Sequence, residues 1–248
     1  MIKNYAFVPA RSGSQRVKNK NLIEINGHPL ISYTINTARA TDLFAEIIVS
    51  TDSSEISKVA KDYGATNNGL RTKKISGSES PDIDWVLFEL DKLTVNEDFL
   101  VTILRPTNPL RSPESIKNAT REFIMARSFD SLRAMRKVKE HPGKMWREQQ
   151  VPPGVEPYIA SINEITGTHN FSSPMQTLEP LLVQDASLEI TTANSIRKYR
   201  SISGEKVMKF IMPNHEGFDI NYPEDIDYLN FLISTNKIQL PNLSKLRE

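Results

Sequence analysis

The sequence predicts an α/β fold on a mostly parallel sheet, and three observations carry that prediction. Short apolar runs at Tyr5–Pro9, Ile47–Ser50 and Phe99–Leu104 have the length and content of buried strands. Each is followed by a polar loop and then by apolar residues at helical spacing. Alternation in that order gives parallel strands joined by right-handed crossovers, with ligands held at the carboxyl ends of the strands.

The elements follow in order. Tyr5–Pro9 enters a loop at 10–21 that holds Arg11, Arg16, Lys18 and Lys20, with Ser12, Gly13 and Ser14, and no acid. Leu22–Ile25 leads to an Asn26-Gly27 turn signal. A helix is expected from Pro29 to Thr41, with Leu30, Ile31, Ile35 and Ala38 on one face. The strand at 47–50 ends on Thr51 and Asp52. Ser53–Glu55 opens a helix carrying Ile56, Val59, Ala60 and Tyr63, which Gly64 stops. Residues 65–81 are a polar loop with Arg71, Lys73 and Lys74. A helix from Asp82 buries Ile83, Val86, Leu87 and Leu90.

The strand at 99–104 runs into Arg105–Arg111, a loop stiffened by Pro106 and Pro109. Ser112 with Pro113 behind it caps a helix reaching Arg127. Residues 131–182 are broken by prolines and read as an excursion: a lid, a substrate flap or a dimerisation arm. The core resumes near Leu181–Val183, with strands at Ala186–Ile190 and Lys209–Met212. Gly217–Asn221 precedes a C-terminal helix that opens at Pro223 and carries Ile226, Leu229, Phe231 and Leu232. The domain reading is a core of 1–130 and 183–248 with 131–182 inserted.

Composition excludes several functions. The 248 residues suffice for a sizeable core. Lys and Arg total 31 against 30 Asp and Glu, so no basic nucleic-acid footprint exists. Cysteine is absent, which removes disulfides, thiolate metal sites and thiol nucleophiles. No apolar run of about 18 residues suggests a membrane span. The N-terminus turns polar too soon for a secretory signal. A soluble cytoplasmic protein is expected.

Two stretches carry chemistry. The loop at 10–21 is a polyanion cradle: small residues let backbone N–H groups approach phosphate oxygens, and cations offset their charge. It is neither the GxxxxGK[ST] phosphate loop nor the GxGxxG dinucleotide fingerprint. In Asp219-Ile220-Asn221, alternate side chains of an extended segment face one side, where two oxygens can meet a hard cation such as Mg2+. An Asp ahead of a helix also serves as a plain cap. His28, His141, His169 and His215 lack metal-ligand spacing and read as loop or surface residues; Trp85 and Trp146 read as core or interface anchors.

These residues together resemble the CMP-sialic acid synthetase (acylneuraminate cytidylyltransferase) family. The resemblance is carried by Pro9–Ser14 through Lys20-Asn21, by Gly27–Ile31, by Ile48–Asp52, by Leu104–Arg111 and by Phe218–Asn221. It covers most of the chain and is weakest at 131–182. It implies a Rossmann-like three-layer α/β/α nucleotide-diphospho-sugar transferase fold with a small dimerisation excursion. It also implies Mg2+-dependent coupling of CTP to a nine-carbon 2-keto sugar acid by a homodimer.

By the same resemblance, Arg11 and Lys20 hold the CTP phosphates, with Ser12 and Gly13 in their loop. Asn21 and Arg71 contact the nucleotide. Asp219 carries Mg2+, helped by Asn221. Arg105, Thr107, Asn108, Gln176, Asp185 and Glu189 are the sugar-side candidates. Gln15, Asn221, Arg105 and Asp185 depart from the residues usual in the family, namely lysine, aspartate, glutamine and asparagine. Arg105 suits an anionic group on the sugar. The alternatives are transfer to the eight-carbon acid Kdo, transfer to a sugar 1-phosphate, and a non-catalytic nucleotide-binding homologue. Kdo enzymes typically show Pro-Gly-Lys-Pro where this chain has Lys18-Asn19-Lys20-Asn21.

Overall fold

A computed structural model describes residues 2–95, 97–162 and 170–246. The chain divides into a core unit, 1–135 with 185–248, and a smaller unit, 136–184.

The core opens with β1 (Asn4–Pro9), followed by a short antiparallel hairpin of β2 (Glu24–Ile25) and β3 (His28–Pro29). Asn26 and Gly27 turn that hairpin with φ of 48° and 79°, the left-handed pair that matches strand twist. Then come α1 (Leu30–Arg39), β4 (Glu46–Ser50), α2 (Ser54–Asp62), α3 (Asp82–Leu90), β5 (Leu100–Ile103) and α4 (Pro113–Ala126). Next in the chain are β6 (Ser131–Lys137), the antiparallel pair β7 (Trp146–Glu148) and β8 (Ile159–Ser161), and β9 (Leu182–Thr192). The chain ends with α5 (Ala193–Tyr199), β10 (Val207–Ile211) and α6 (Pro223–Ser234).

The central sheet has the order β10-β6-β9-β5-β1-β4. β1 runs parallel to β4 and β5, and β6 parallel to β10. β9 reverses against β5, with Ile103 opposite Glu189. The reversal brings the early part of β9 to the edge where β1, β4 and β5 end.

Both sheet faces are covered, which is why the strands read as unbroken apolar runs. Ala6, Val8 and Val49 pack with Ile31, Ile35, Ile56, Ile116 and Phe123 on one side. Tyr5, Phe7, Ile48, Val101 and Ile103 pack with Trp85, Val86, Leu90 and Ile196 on the other. Ser53, Ser112 and Thr192 cap α2, α4 and α5 through side-chain oxygens, contacts worth about 1 kcal/mol each.

Several expectations from the sequence are corrected here. Ser131–Lys137, placed in the excursion, forms β6 of the main sheet, with Leu132 and Ala134 fully buried. The strand expected at Ala186–Ile190 is longer, beginning where the core was expected to resume: β9 spans Leu182–Thr192. α5 was not foreseen, because only seven residues carry it. Among the described residues no helix is long and apolar enough to cross a membrane.

In the unit 136–184, His141 is buried rather than exposed; its ring accepts from Gly143 N at 2.9 Å and lies 3.0 Å from Glu179 O. Trp146 packs on Phe171 with ring centroids 4.9 Å apart. His169 lies outside the described residues.

Candidate active site

The carboxyl ends of β1, β4 and β5 open into a cleft of about 390 Å³. The loop at 10–21 forms one wall, with Arg11, Arg16, Lys20 and Asn21 lining it. The polar loop before α3 contributes Arg71, Gly77, Ser78 and Ser80; α3 contributes Asp82 and Trp85. Arg105 and Thr107 follow β5, and Asp219 and Asn221 close the remaining side.

The walls are tied to one another across long sequence distances. Arg11 Nη1 donates to Gly77 O at 2.6 Å, and Asn21 Nδ2 donates to Arg11 O at 3.1 Å. Lys20 Nζ donates to Ile220 O at 2.7 Å. Arg16 lies 3.5 Å from Asn221 Oδ1 and sits over the Tyr222 ring at 5.0 Å. The cationic loop and the Asp219 segment, two hundred positions apart, are therefore one site.

The alternation expected at Asp219-Ile220-Asn221 has a visible cause. Ile220 is fully buried among Ile25, Leu30, Tyr33 and Leu229, and its N–H donates to Thr107 O at 2.9 Å. Burying such a side chain stabilises by about 1.5–3 kcal/mol. That anchor turns Asp219 and Asn221 to the cleft. Asp225 Oδ2 then accepts from the backbone N of Asn221 and of Tyr222, at 2.7 and 2.8 Å, closing a capping box on α6.

Asn221 turns its amide nitrogen to Asp219, donating to Oδ2 at 2.7 Å, while Asp219 Oδ1 is buried without a partner among the described residues. An orphaned carboxylate oxygen on the wall of the cleft can accept a hard cation. Mg2+ commonly takes one or two carboxylates and completes its shell with water and phosphate oxygens. Among the described residues no three His, Cys, Asp or Glu side chains form a closed metal cage. The donor set therefore fits an ion shared with a phosphate ligand and does not fit one held by protein alone.

The charges are arranged unevenly. Burial lowers the Lys20 pKa; Asp219 opposes the shift, while Arg16 and Arg11 add to it. Burial takes the Arg71 guanidinium down to about 10, against the pull of Glu89. Arg105 behaves oppositely. Burial works against its charge, but Glu189 and Asp82, at 3.1 and 2.5 Å, outweigh it and raise its pKa. Glu189 also pairs with Arg133 at 2.8 Å. Arg105 therefore meets any substrate with its charge already balanced.

Not every residue singled out in the sequence reaches the cleft. Ser12 gives both its N–H and its hydroxyl to Asp52, at 2.7 and 2.8 Å, and neither it nor Gly13 lines the cavity. A Cβ on Gly13 would meet no atom within 4 Å, so its small size leaves open space above the loop. Asn108 is buried and donates to Phe218 O at 2.9 Å, joining two loops beneath the site. Asp185 is buried and accepts from Ser187 N at 3.0 Å, and a Cβ on Gly217 would come within 2.8 Å of its Oδ2. Glu189 reaches the site only through Arg105. Gln176 belongs to the 3-10 turn Met175–Thr177 of the unit 136–184. His28 and His215 do not line the cleft.

Sequence reasoning missed Asp82 and Glu89 as partners of the site; Trp85, expected as a core or interface anchor, is buried in the core and also lines the cleft. Asp82 and Glu89 stand two turns apart on α3, two acids on one side of a mostly apolar helix. That spacing was the available signal.

Residues 5–145 match the sequence profile of the cytidylyltransferase family. The chain is 31% identical over 238 residues to the CMP-N,N'-diacetyllegionaminic acid synthase of Legionella pneumophila, covering 94% of this chain and 97% of that protein. It is 35% identical over 129 residues to the pseudaminic acid cytidylyltransferase of Campylobacter jejuni, covering 51% of this chain and 56% of that one. Among solved structures it superposes on a CMP:2-keto-3-deoxy-manno-octonic acid synthetase complexed with CTP, with a TM-score of 0.67 and 13% identity. That superposition covers 94% of this chain and 99% of the other, a likeness of fold. A cationic cleft at the strand ends, a family profile over more than half the chain and a full-length relative agree: the chain belongs to the cytidylyltransferase family and is a nucleotidyltransferase.

Proposed function

We propose that the chain couples CTP to a nine-carbon 2-keto sugar acid of the nonulosonic class, releasing pyrophosphate and forming the CMP-sugar. The observation that carries this reading is the convergence of Arg11, Arg16 and Lys20 on the Asp219 segment in one cleft. The names of the Legionella and Campylobacter relatives support the sugar class.

In the reaction the anomeric hydroxyl forms an O–P bond to the α-phosphorus in line. The bond from that phosphorus to the bridging oxygen breaks, pyrophosphate carries off the electron pair, and the hydroxyl proton is lost. The protein's task is positioning and charge neutralisation. Arg11 and Lys20 face the phosphates, and Asn21 holds Arg11's backbone in place. Arg71, with its Cζ over the Trp85 ring at 4.7 Å, faces the nucleotide. Asp219, with Asn221 at its side, would hold Mg2+, which supplies charge neutralisation to the phosphate oxygens when bound. Arg105 and Thr107 line the side left for the sugar. Because Asp82 and Glu189 neutralise Arg105, it serves as an oriented donor more than as a free cation.

We place the enzyme in the cytoplasm as a homodimer. The unit 136–184 exposes Trp146, Tyr158 and Ile159, which a second copy would cover. Light scattering of the purified protein gives the mass that tests this.

Pyrophosphate release with CTP, Mg2+ and a panel of sugar acids tests the reaction. Turnover is expected with a nine-carbon acid and not with Kdo. Turnover with Kdo alone would replace the sugar assignment, and CTP binding without turnover on any sugar would make the chain a non-catalytic homologue.

Arg11→Ala is expected to lower kcat/KM by roughly 10²-fold, the usual loss for a donor aimed at developing charge. Its side-chain hydrogen bond to Gly77 O is worth about 1 kcal/mol, or about 2–4 °C in Tm for a chain of this size. A melting scan beside the kinetics checks both, and a collapse of Tm matching the loss of activity would make Arg11 a structural residue.

A further inference from the structure

Arg71 is held by two residues that do not line the cleft. Its Nε donates to Ser50 Oγ at 2.7 Å, and Ser50 Oγ donates to Glu89 Oε1 at 2.5 Å. Ser50 and Glu89 are fully buried, and neither is among the lining residues. The Arg71 guanidinium lies over Trp85, and its Nη2 is buried without a hydrogen-bond partner among the described residues. The two hydrogen bonds run in one direction. A hydroxyl has a single proton; Ser50 gives it to Glu89, so its lone pairs stay free to accept from Arg71. Without the carboxylate, the hydroxyl rotor could turn its hydrogen elsewhere, and the guanidinium would lose a fixed acceptor.

The sequence places the relay in three different elements. Ser50 ends β4, Arg71 sits in the loop before α3, and Glu89 occupies the inner face of α3 two turns after Asp82. A buried acid between Val86 and Leu90 has no packing reason to be there, and burying it costs unless it is paired. Its attraction is the largest influence opposing the burial of Arg71's charge.

We propose that Glu89, acting through Ser50, is a positioning residue that holds the Arg71 guanidinium, at the wall of the cleft, in the orientation that meets the nucleotide. The inference rests on reading Arg71 as a nucleotide contact, and deepens it. Nothing in the relay touches the reacting atoms, so its effect falls on nucleotide affinity and not on the chemical step.

Calorimetry with CTP alone, without sugar, tests it on Ser50→Ala, Glu89→Leu, Glu89→Gln and Arg71→Ala, each with a melting scan. Arg71→Ala is expected to weaken CTP binding at least tenfold. Ser50→Ala and Glu89→Leu are expected to weaken it roughly fivefold to tenfold, and to add nothing further in an Arg71→Ala background. Glu89→Gln keeps an oxygen for Ser50 and should stay within about twofold of wild type. With sugar present, the loss in Ser50→Ala and Glu89→Leu should fall on KM for CTP while kcat stays within about twofold. Ser50→Ala removes one oxygen and covers the case in which Glu89→Leu fails to fold. Wild-type affinity in Ser50→Ala beside a tenfold loss in Arg71→Ala overturns the inference alone. Wild-type affinity in Arg71→Ala overturns the nucleotide reading and the inference together. Equal losses with and without Arg71 would show that Glu89 does not act through it.

Discussion

Asp219→Asn is expected to lower kcat/KM by roughly 10³-fold, while CTP binding measured without metal stays equal or tightens. The two effects have opposite signs because the carboxylate has two electrostatic partners. Without a cation it repels the triphosphate, by about 1 kcal/mol at 4 Å in water-like surroundings and more where water is excluded. With Mg2+ it attracts the ion that the phosphates share. The variant keeps the shape of the segment, since Ile220 stays anchored in its apolar cluster and Asp225 still holds the backbone of Asn221 and Tyr222. Calorimetry with and without Mg2+ checks the prediction: wild type should bind CTP tighter with the ion, and the variant should not respond. An identical Mg2+ response in both proteins would remove Asp219 from the metal site. A fall in Tm of more than a few degrees is not expected, because among the described residues the Asp219 side chain bonds only Asn221 and attracts Lys20.

The parallel core was legible because β1, β4 and β5 are buried on both faces, so that local apolar runs and tertiary burial agree. The cationic loop was legible because four cations within ten positions have no neighbouring acid to satisfy them. What stayed hidden was every partnership made at long range. Nothing near Ser12 announces that Asp52 will take its donors. Nothing near Arg105 shows that Asp82 and Glu189, from a helix and an antiparallel strand, will balance its charge. The sequence therefore assigns Arg105 an anion of the substrate, whereas the fold gives it two anions of its own. β6 was hidden for another reason. Its alternation Leu132, Arg133, Ala134 puts a cation inside the sheet, and Arg133 is tolerated there only because Glu189 and Ser203 meet it.

Lys20 carries the second large effect, and its burial gives that effect a pH signature. Lys20→Ala removes an ammonium wedged between the Ile220 carbonyl and the phosphate side of the cleft, and should cost roughly 10²–10³ in kcat/KM, about 3–4 kcal/mol of transition-state stabilisation. Desolvation, with Arg16 and Arg11 adding to it, holds the Lys20 pKa below its ordinary value of 10.5. A bound triphosphate favours the charged form, so binding takes up a proton as pH rises through that lowered pKa, and CTP affinity falls on the alkaline side sooner than for a free lysine. Folding responds with the opposite sign. Between the lowered pKa and 10.5 the unfolded chain binds more protons at this residue than the folded one, so Lys20's own contribution makes the free protein more stable as pH rises. Lys20→Arg keeps its charge through the same window, so its affinity should stay flat where wild type declines. Calorimetry of CTP binding across the alkaline range, on wild type and Lys20→Arg, reads the difference; parallel curves would mean that Lys20 does not face the phosphates.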